Sequence, residues 1–293
     1  MTTILTIANY DVVFLSYDEP NADTNWADLL TKIPHAQRVH GVKGSDSAHK
    51  AVAQLAKTDR VIVIDADNIL EGNFLNQIVE LDDTIDASKC VLSWPSRNMI
   101  NGLEYGNGGI KCWPRQLMLD MRTHENSIDA SAQVDFCWHI EYAALDTCYS
   151  TIHNNASPRQ AWRAGFREGV KLSLDQGSKV NHLSEIWDGN KPRLNTWMTA
   201  GINVPNGIWS ILGARQGCYL THFTDWDYTN VRDFEYLNEF WDNHVRDMSE
   251  QEVRSAIDMF GQSISEQMKL DQDAVVHNIS RQLDTVVQRS LSC

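Results

Sequence analysis

The 293-residue chain lacks the features that mark several classes of protein. No segment approaches the roughly 20 consecutive apolar residues that a membrane-spanning helix needs, so no membrane partner is expected. The first residues have neither a basic flank nor a small-residue cleavage pattern, so no signal peptide is expected and the predicted location is the cytoplasm. The six cysteines are scattered without a CxxC pair, which argues against a zinc ribbon, a redox motif or a disulfide framework.

Positive charge is also scarce. The chain has 25 Lys and Arg against 39 Asp and Glu, which gives a formal net charge of −14. The field of the whole molecule would repel nucleic acid, so a polyanion has to be met by a local basic patch or a metal ion. A content of 42% hydrophobic and 22% charged residues is ordinary for a globular protein, and the length suits one large α/β domain or a domain with an appendage.

The amino-terminal part alternates strand and helix patterns. Strand patterns cover residues 11–17, 36–42 and 60–65, and amphipathic helix patterns cover 21–33 and 45–57. A strand that recurs about every 25 residues predicts βαβ units. The sequence therefore predicts an α/β fold with a mainly parallel central sheet flanked by helices. Ligands of such sheets bind beyond the carboxyl ends of the strands.

The third of these strands ends in two aspartates. Val61 to Ile64 are all Val or Ile, which is typical of a strand covered on both faces, and Asp65 and Asp67 stand where it emerges. Side chains alternate along an extended chain, so both carboxylates would point the same way. Such a pair is costly without a cation or a proton, and a divalent ion is one solution. The alternative is that one aspartate caps a following helix while the other is solvated.

These strand exits carry a resemblance to a known family. A strand ending in Tyr17 and Asp18, a βα unit followed by Lys43, and an apolar strand ending in Asp65 and Asp67 resemble the nucleotide-binding half of GT-A fold glycosyltransferases. The match covers about the first 110 residues, and its sequence is most similar to transferases encoded by tailed bacteriophages.

The resemblance implies a role for each matching residue. In this family the Asp-x-Asp motif helps to hold Mn²⁺ or Mg²⁺, which bridges to the diphosphate of a nucleotide sugar, here expected to be UDP-linked. Hard oxygen ligands suit a hard cation, and the cation neutralises a diphosphate leaving group. The implied metal ligands are Asp65, Asp67 and a late histidine, His222, and the implied nucleotide-sugar contacts are Tyr17, Asp18, Lys43 and Asp65.

Acceptor recognition and catalysis are expected from the middle of the chain. Gly108 and Gly109 belong to a glycine-rich stretch that permits close backbone approach to a ligand, although a tight turn explains it equally. The resemblance places such a loop on the sugar side. Asp135 lies in a short apolar run and is the candidate general base if the reaction inverts the sugar's configuration; otherwise it is a turn or cap residue.

A basic stripe is predicted on one helix. Ser157 as N-cap and Pro158 at the first helical position mark a helix start, which places a cation at every fourth residue. The stripe consists of Arg159, Arg163, Arg167 and Lys171. Like charges at this spacing repel, so in an acidic chain the stripe is interpreted as facing an anion, either the donor diphosphate or a nucleic-acid backbone. The alternative is a solvated face relieved by acidic side chains from elsewhere.

The predicted organisation is a catalytic domain at 1–228, divided into a nucleotide-binding half (1–110) and an acceptor half (111–228), with a helical extension at 229–293. In the extension, Ser249 and Glu252 form a capping-box pattern, and residues 273–291 repeat apolar positions at helical spacing. The extension is expected to pack on the catalytic domain or on another subunit.

The function predicted from the sequence is a metal-dependent glycosyltransferase, with a hydroxymethylated pyrimidine in DNA as the expected acceptor. A sugar or protein acceptor is the alternative within this class. A haloacid-dehalogenase-type phosphatase would use Asp65 as nucleophile and Asp67 as acid/base, but that motif normally continues with Gly-Thr where this chain has Asn68 and Ile69. A nucleotide-binding module without catalysis is the remaining alternative.

Overall fold

The computed structural model describes residues 2–106 and 108–270. The strands are β1 Thr3–Thr6, β2 Asp11–Ser16, β3 Gln37–His40, β4 Arg60–Asp65, β5 Asn68–Leu70, β6 Ile78–Leu81, β7 Val91–Ser93, β8 Ser96–Asn98, β9 Glu104–Tyr105, β10 Lys111–Pro114, β11 Tyr142–Ala144, β12 Ser150–Ile152, β13 Leu174–Asp175 and β14 Ser178–Lys179. The α-helices are α1 Ala22–Lys32, α2 Ser45–Leu55, α3 Arg115–Asp120, α4 Ala130–Val134, α5 Pro158–Leu172, α6 Asn190–Thr199, α7 Gly207–Phe223, α8 Phe234–His244 and α9 Glu250–Ser265.

A six-stranded central sheet carries the amino-terminal part. Its order is β11-β7-β10-β4-β2-β3, and every strand runs in the same direction except β10, which is antiparallel to both of its neighbours. Val61 to Ile64 in β4 are at most 3% exposed, as expected for a strand covered on both faces. The prediction of a mixed α/β fold with a mainly parallel central sheet is confirmed at this level.

The predicted βα units lie where the sequence placed them. β2, α1, β3, α2 and β4 all fall within the predicted ranges. Residues 90–98 are extended but interrupted at Trp94 and Pro95, and the two halves, β7 and β8, join different sheets. Proline has no N–H for a ladder, which explains a break at this position. β8 joins a second sheet of order β5-β12-β8-β9.

Two further strand pairs complete the sheets. β1 pairs with β6, and β13 pairs with β14, both in antiparallel register. β5 follows directly after Asp67, so the metal-motif strand is followed by another strand. The alternative in which one aspartate caps a following helix is therefore wrong.

The helices after residue 157 form the other side of the molecule. Helix α5 begins as predicted, since the Ser157 hydroxyl accepts a hydrogen bond from the backbone N–H of Gln160 at 3.1 Å. Helices α5 and α7 approach closely through four glycines, Gly165, Gly169, Gly213 and Gly217. A Cβ on Gly169 would lie 2.1 Å from the carbonyl oxygen of Ala214. No side chain fits between these two backbones.

The carboxyl-terminal region is helical as far as the structure describes it. The predicted capping box at Ser249 and Glu252 is formed, and α8 and α9 pack on α5 and α7 through Leu237, Trp241 and Val253. The helix predicted at 273–291 lies outside the described residues. Among residues 2–106 and 108–270, no helix has both the length and the apolar character needed to cross a membrane.

Candidate functional site

A cavity of about 1160 Å³ opens at the carboxyl edge of the central sheet. One wall, called the strand edge here, consists of Tyr17, Glu19, Lys43, Asp65 and Asp67 after β2, β3 and β4. The facing wall contains Arg167 and Lys171 of helix α5, residues of α6, and the start of α8. The start of β10 also lines the cavity because that strand is reversed. The sheet therefore places the predicted ligand edge inside a cavity.

Three carboxylates crowd the strand edge. Burial, together with the negative charges of Asp65 and Glu19, raises the pKa of Asp67 to about 8. Burial also raises the pKa of Glu19, although its carboxylate accepts a hydrogen bond from the backbone N–H of Tyr17 at 2.8 Å. No ion pair joins Asp65 or Asp67 to a residue in the described part of the chain. This edge is short of positive charge.

Asn68 fixes the geometry of Asp67. Its amide nitrogen donates to Asp67 Oδ1 at 3.0 Å and to the carbonyl oxygen of Gly108 at 2.7 Å. Its Oδ1 accepts from the hydroxyls of Ser150, at 2.8 Å, and Ser96, at 3.3 Å. Asn68 therefore ties the metal-motif aspartate to the glycine-rich loop, a role that the sequence argument missed.

The glycine-rich loop lies where the sequence predicted it. Gly108 and Gly109 both line the cavity. Gly108 has a φ of 67°, and a Cβ on Gly109 would lie 2.4 Å from the carbonyl oxygen of Trp94. The backbone conformation requires glycine at both positions. The two glycines therefore form a tight turn and also line the cavity.

The carboxylates suit a hard divalent ion. Among the described residues no group of three or more His, Cys, Asp or Glu side chains is arranged to hold a metal. Magnesium-type sites commonly use one or two carboxylates and take their other ligands from substrate phosphates and water. Asp65 and Asp67 fit such an open site, and a cation there would relieve the repulsion that helps to raise the pKa of Asp67.

His222 does not join this group. It lies in the last turn of α7, outside the cavity lining, and its Nε2 is 2.8 Å from the carbonyl oxygen of Ser173. Burial lowers the pKa of His222 to about 4. The expected third metal ligand is thus a neutral histidine within the helical region, because α7 continues as a helix as far as Phe223.

Asp18 and two of the predicted phosphate contacts bind one another. Arg163 donates from both terminal nitrogens to the Asp18 carboxylate at 2.6 and 2.8 Å, and Arg159 lies 3.8 Å from it. Burial opposes ionisation of Asp18, but Arg163 holds its pKa below the usual value. None of the three lines the cavity. The predictions that Asp18 contacts the nucleotide and that Arg159 and Arg163 face an anionic ligand are therefore corrected: the anion that they face is Asp18.

The end of the stripe reaches the candidate base. Lys171 Nζ lies 2.5 Å from Asp135 Oδ2 and 3.8 Å from Glu168 Oε1. Asp135 is 7% exposed and lines the cavity. The Glu168 carboxylate also accepts from the Tyr105 hydroxyl at 2.7 Å. A buried polar network therefore surrounds Asp135 on the side of α5.

Lys43 lies at the exposed rim. Its Nζ is 2.5 Å from Glu235 Oε2 at the start of α8, and both side chains are more than half exposed. The neighbouring Phe234 ring contacts Tyr17 at 6.1 Å between centroids and stacks under the guanidinium groups of Arg163 and Arg167. The helical extension predicted from residue 229 is thus part of the cavity wall.

Two histidines were missed by the sequence argument. His49 and His124 line the cavity, and burial lowers the pKa of both, to about 4 for His124. His124 has a φ of 42°, which is rare for a residue with a side chain. Both imidazoles are neutral at neutral pH. No motif surrounds either residue, so the sequence gives no signal for them.

No protein-family model matches this sequence, and no curated protein matches it. Function therefore has to be inferred from the cavity and its charges.

Proposed function

We propose that this protein is a metal-dependent glycosyltransferase that takes a sugar from a nucleoside diphosphate donor. The observation that carries this proposal is the Asp65 and Asp67 pair at the carboxyl end of a buried parallel strand, in a cavity of about 1160 Å³. Sites for single small ligands commonly measure about 300–1,000 Å³. The cavity has room for a donor and an acceptor together.

Asp65 and Asp67 would hold Mn²⁺ or Mg²⁺ in this proposal. The ion supplies positive charge to the leaving diphosphate. Asn68 orients the Asp67 carboxylate by donating to its Oδ1 at 3.0 Å. Since a metal ligand must be ionised, the raised pKa of Asp67 makes metal binding dependent on pH.

Tyr17 and Lys43 are proposed to contact the nucleotide, since both line the cavity beside the carboxylates. Asp135 remains the proposed base for the acceptor hydroxyl. The Lys171 ammonium group lies 2.5 Å from the Asp135 carboxylate and orients it, and the low exposure of Asp135 limits competition from water.

A hydroxymethylated pyrimidine in DNA is the narrower proposal for the acceptor. Its support is the sequence resemblance and the volume of the cavity, which a base could enter after leaving the duplex. The basic stripe no longer supports it, because Arg159 and Arg163 face Asp18. The predicted helix at 273–291 plays no part in it.

The test is a screen of nucleotide sugars with and without Mn²⁺. Binding is followed by thermal shift and sugar release by mass spectrometry, with Asp67→Ala as the variant and Glu80→Ala, on the exposed face of β6, as the charge-matched control. Metal-dependent stabilisation or hydrolysis by at least one donor is expected for the wild type and the control only. Equal donor binding by Asp67→Ala would exclude the metal role.

Three sugar acceptors and one phosphatase substrate separate the remaining alternatives. The acceptors are duplex DNA with hydroxymethylcytosine, unmodified duplex DNA and free sugars, and the phosphatase substrate is a phosphomonoester. A base-plus-sugar mass from the first alone supports the DNA acceptor. Transfer to free sugars alone would move the proposal to a glycan acceptor. Metal-dependent release of phosphate from the monoester without any sugar transfer would favour the phosphatase.

A further inference from the structure

The cations of helix α5 differ in whether a carboxylate lies within ion-pair distance. Arg159, Arg163 and Lys171 each have a carboxylate within 4 Å, at 3.8, 2.6 and 2.5 Å respectively. Arg167 lines the cavity. Its side chain forms neither a hydrogen bond nor an ion pair with any residue within 2–106 and 108–270. Its Nε is fully buried without a partner.

An aromatic ring packs against the Arg167 guanidinium. The guanidinium stacks on the Phe234 ring, 4.8 Å from the centroid, beside Arg163, which stacks on the same ring. The charges of Glu168, Asp135 and Asp65 act on Arg167, but burial outweighs them and lowers its pKa. An arginine stays charged in proteins, so the fold keeps a cation whose N–H donors are unused by the described residues.

The strand edge has the opposite imbalance. Asp65, Asp67 and Glu19 form no ion pair with a described residue, and Arg167, on the helical wall of the same cavity, forms none either. A complex of a divalent ion and a diphosphate would compensate the charges on both walls. The metal ion neutralises the carboxylates, and the phosphate oxygens accept hydrogen bonds from a guanidinium. A single ligand of this kind satisfies both walls of the cavity.

We propose that Arg167 is the residue that binds the diphosphate of the donor, and that it is the only cation of the α5 stripe with this role. This inference rests on the proposed function. Arginine suits the task because its planar group can donate two parallel hydrogen bonds to phosphate oxygens. The close packing of α5 on α7 fixes the position of the helix from its opposite side.

The experiment compares Arg167→Met, Arg167→Lys and Arg159→Met with the wild type. Methionine keeps a long side chain that can pack on Phe234 without charge. Binding of inorganic pyrophosphate with Mn²⁺ is measured by calorimetry, unmodified duplex DNA serves as the second anion, and the Tm of each free protein is recorded. No sugar or acceptor is present, so anion binding is measured even if no sugar is ever transferred.

Arg167→Met is expected to weaken pyrophosphate binding about 10- to 100-fold, the usual range for lost hydrogen bonds to a charged group. Arg167→Lys should retain part of the affinity, and Arg159→Met should retain all of it. The Tm of free Arg167→Met should equal or exceed that of the wild type, since the change removes a desolvated cation that no ion pair with a described residue compensates.

Three results would overturn the inference. If Arg167→Met lowers the Tm and leaves pyrophosphate binding unchanged, the residue has a structural role only. If the variant loses DNA binding but keeps pyrophosphate, the anion is a nucleic-acid phosphate and the donor assignment is wrong. Absence of pyrophosphate binding by the wild type would also exclude it.

Discussion

The two walls of the cavity are built from opposite charges and are balanced differently. On the strand edge, burial and the neighbouring charges of Asp65 and Glu19 raise the pKa of Asp67 to about 8. On helix α5, Arg163 and Lys171 are each paired with a carboxylate. The paired charges stabilise the wall on which they lie, whereas the crowded charges leave the strand edge strained until a cation or a proton arrives.

This difference separates structural from functional residues. Both terminal nitrogens of Arg163 donate to Asp18, and neither residue lines the cavity, so this pair is structural. Residues without partners cost stability in the free protein, and such a cost is typical of binding sites. The four predictions below test this separation, beginning with the largest expected effect.

Removal of Arg163 should destabilise the protein far more than removal of Arg159 on the same helix. Arg163→Met leaves the Asp18 carboxylate, which is 24% exposed, without its main partner. Breaking a buried pair typically costs about 3–5 kcal/mol, and the partial exposure of Asp18 places the expected loss near 3 kcal/mol. The free energy of unfolding in urea measures it.

The double variant Arg163→Met with Asp18→Asn serves as the control, since it removes both charges. It should recover most of the loss, and Arg159→Met alone should change stability by less than about 0.5 kcal/mol. If Arg163→Met and Arg159→Met have equal effects, the distinction between paired and peripheral cations fails.

A methyl group at Gly169 should force helix α5 away from helix α7. Gly169→Ala places a Cβ 2.1 Å from the carbonyl oxygen of Ala214, so α5 and α7 must move apart. We expect a loss of about 1–3 kcal/mol, the range for overpacked cores. In a helix without this contact, alanine would be favoured over glycine by about 1 kcal/mol, so an increase in Tm would contradict the close packing.

Asp67 should make the metal-free protein less stable as the pH rises. Its pKa is 3.8 unfolded and about 8 folded, so the contribution of the bound proton to stability is fully present below pH 4 and is lost as the pH approaches 8. Asp67→Asn should remove this decline and raise the Tm at pH 8 but not at pH 4. A gain of about 1 kcal/mol corresponds to roughly 2–4 °C.

Thermal unfolding in a chelating buffer across this pH range is the measurement. Mn²⁺ should reverse the order at pH 8, because it stabilises only the protein that keeps both carboxylates. A variant that remains less stable than the wild type at every pH without metal would show that Asp67 has a structural partner instead.

The smallest effect on stability is expected for Lys43, at the rim of the cavity. Lys43→Ala breaks an exposed pair with Glu235, and exposed pairs contribute little to stability. The Tm should match that of Lys89→Ala, which breaks a comparable exposed pair with Asp86 far from the cavity. Donor binding should weaken a few-fold, more at low than at high ionic strength. A large fall in Tm would place Lys43 among the structural pairs.

The sequence predicted the amino-terminal fold because its signals are local. The apolar run of β4 and the βα spacing identify the parallel strands, and parallel strands bring Tyr17, Lys43, Asp65 and Asp67 to one edge. The reversed strand β10 and the break at Pro95 depend on pairing with distant strands, which no short pattern specifies. Helix α5 was predicted together with its start for the same local reason.

The roles of individual charges were predicted less well. Asp18 and Arg163 are 145 residues apart in the chain, and only the tertiary structure brings them together. The spacing of the stripe gave the helix face correctly but could not show which carboxylate faces each cation. His222 was assigned from its position along the chain, and the continuation of α7 places it elsewhere.

The amide of Asn68 has a consequence for the sequences that this fold can accept. Both of its acceptor lone pairs and both of its N–H groups have partners, on four different residues. An aspartate of the same shape would turn one carboxylate oxygen, which can only accept, toward both Asp67 and the Gly108 carbonyl oxygen, and leucine would satisfy none of the four. The position next to the motif is therefore nearly closed to substitution, even though its side chain need never touch a ligand.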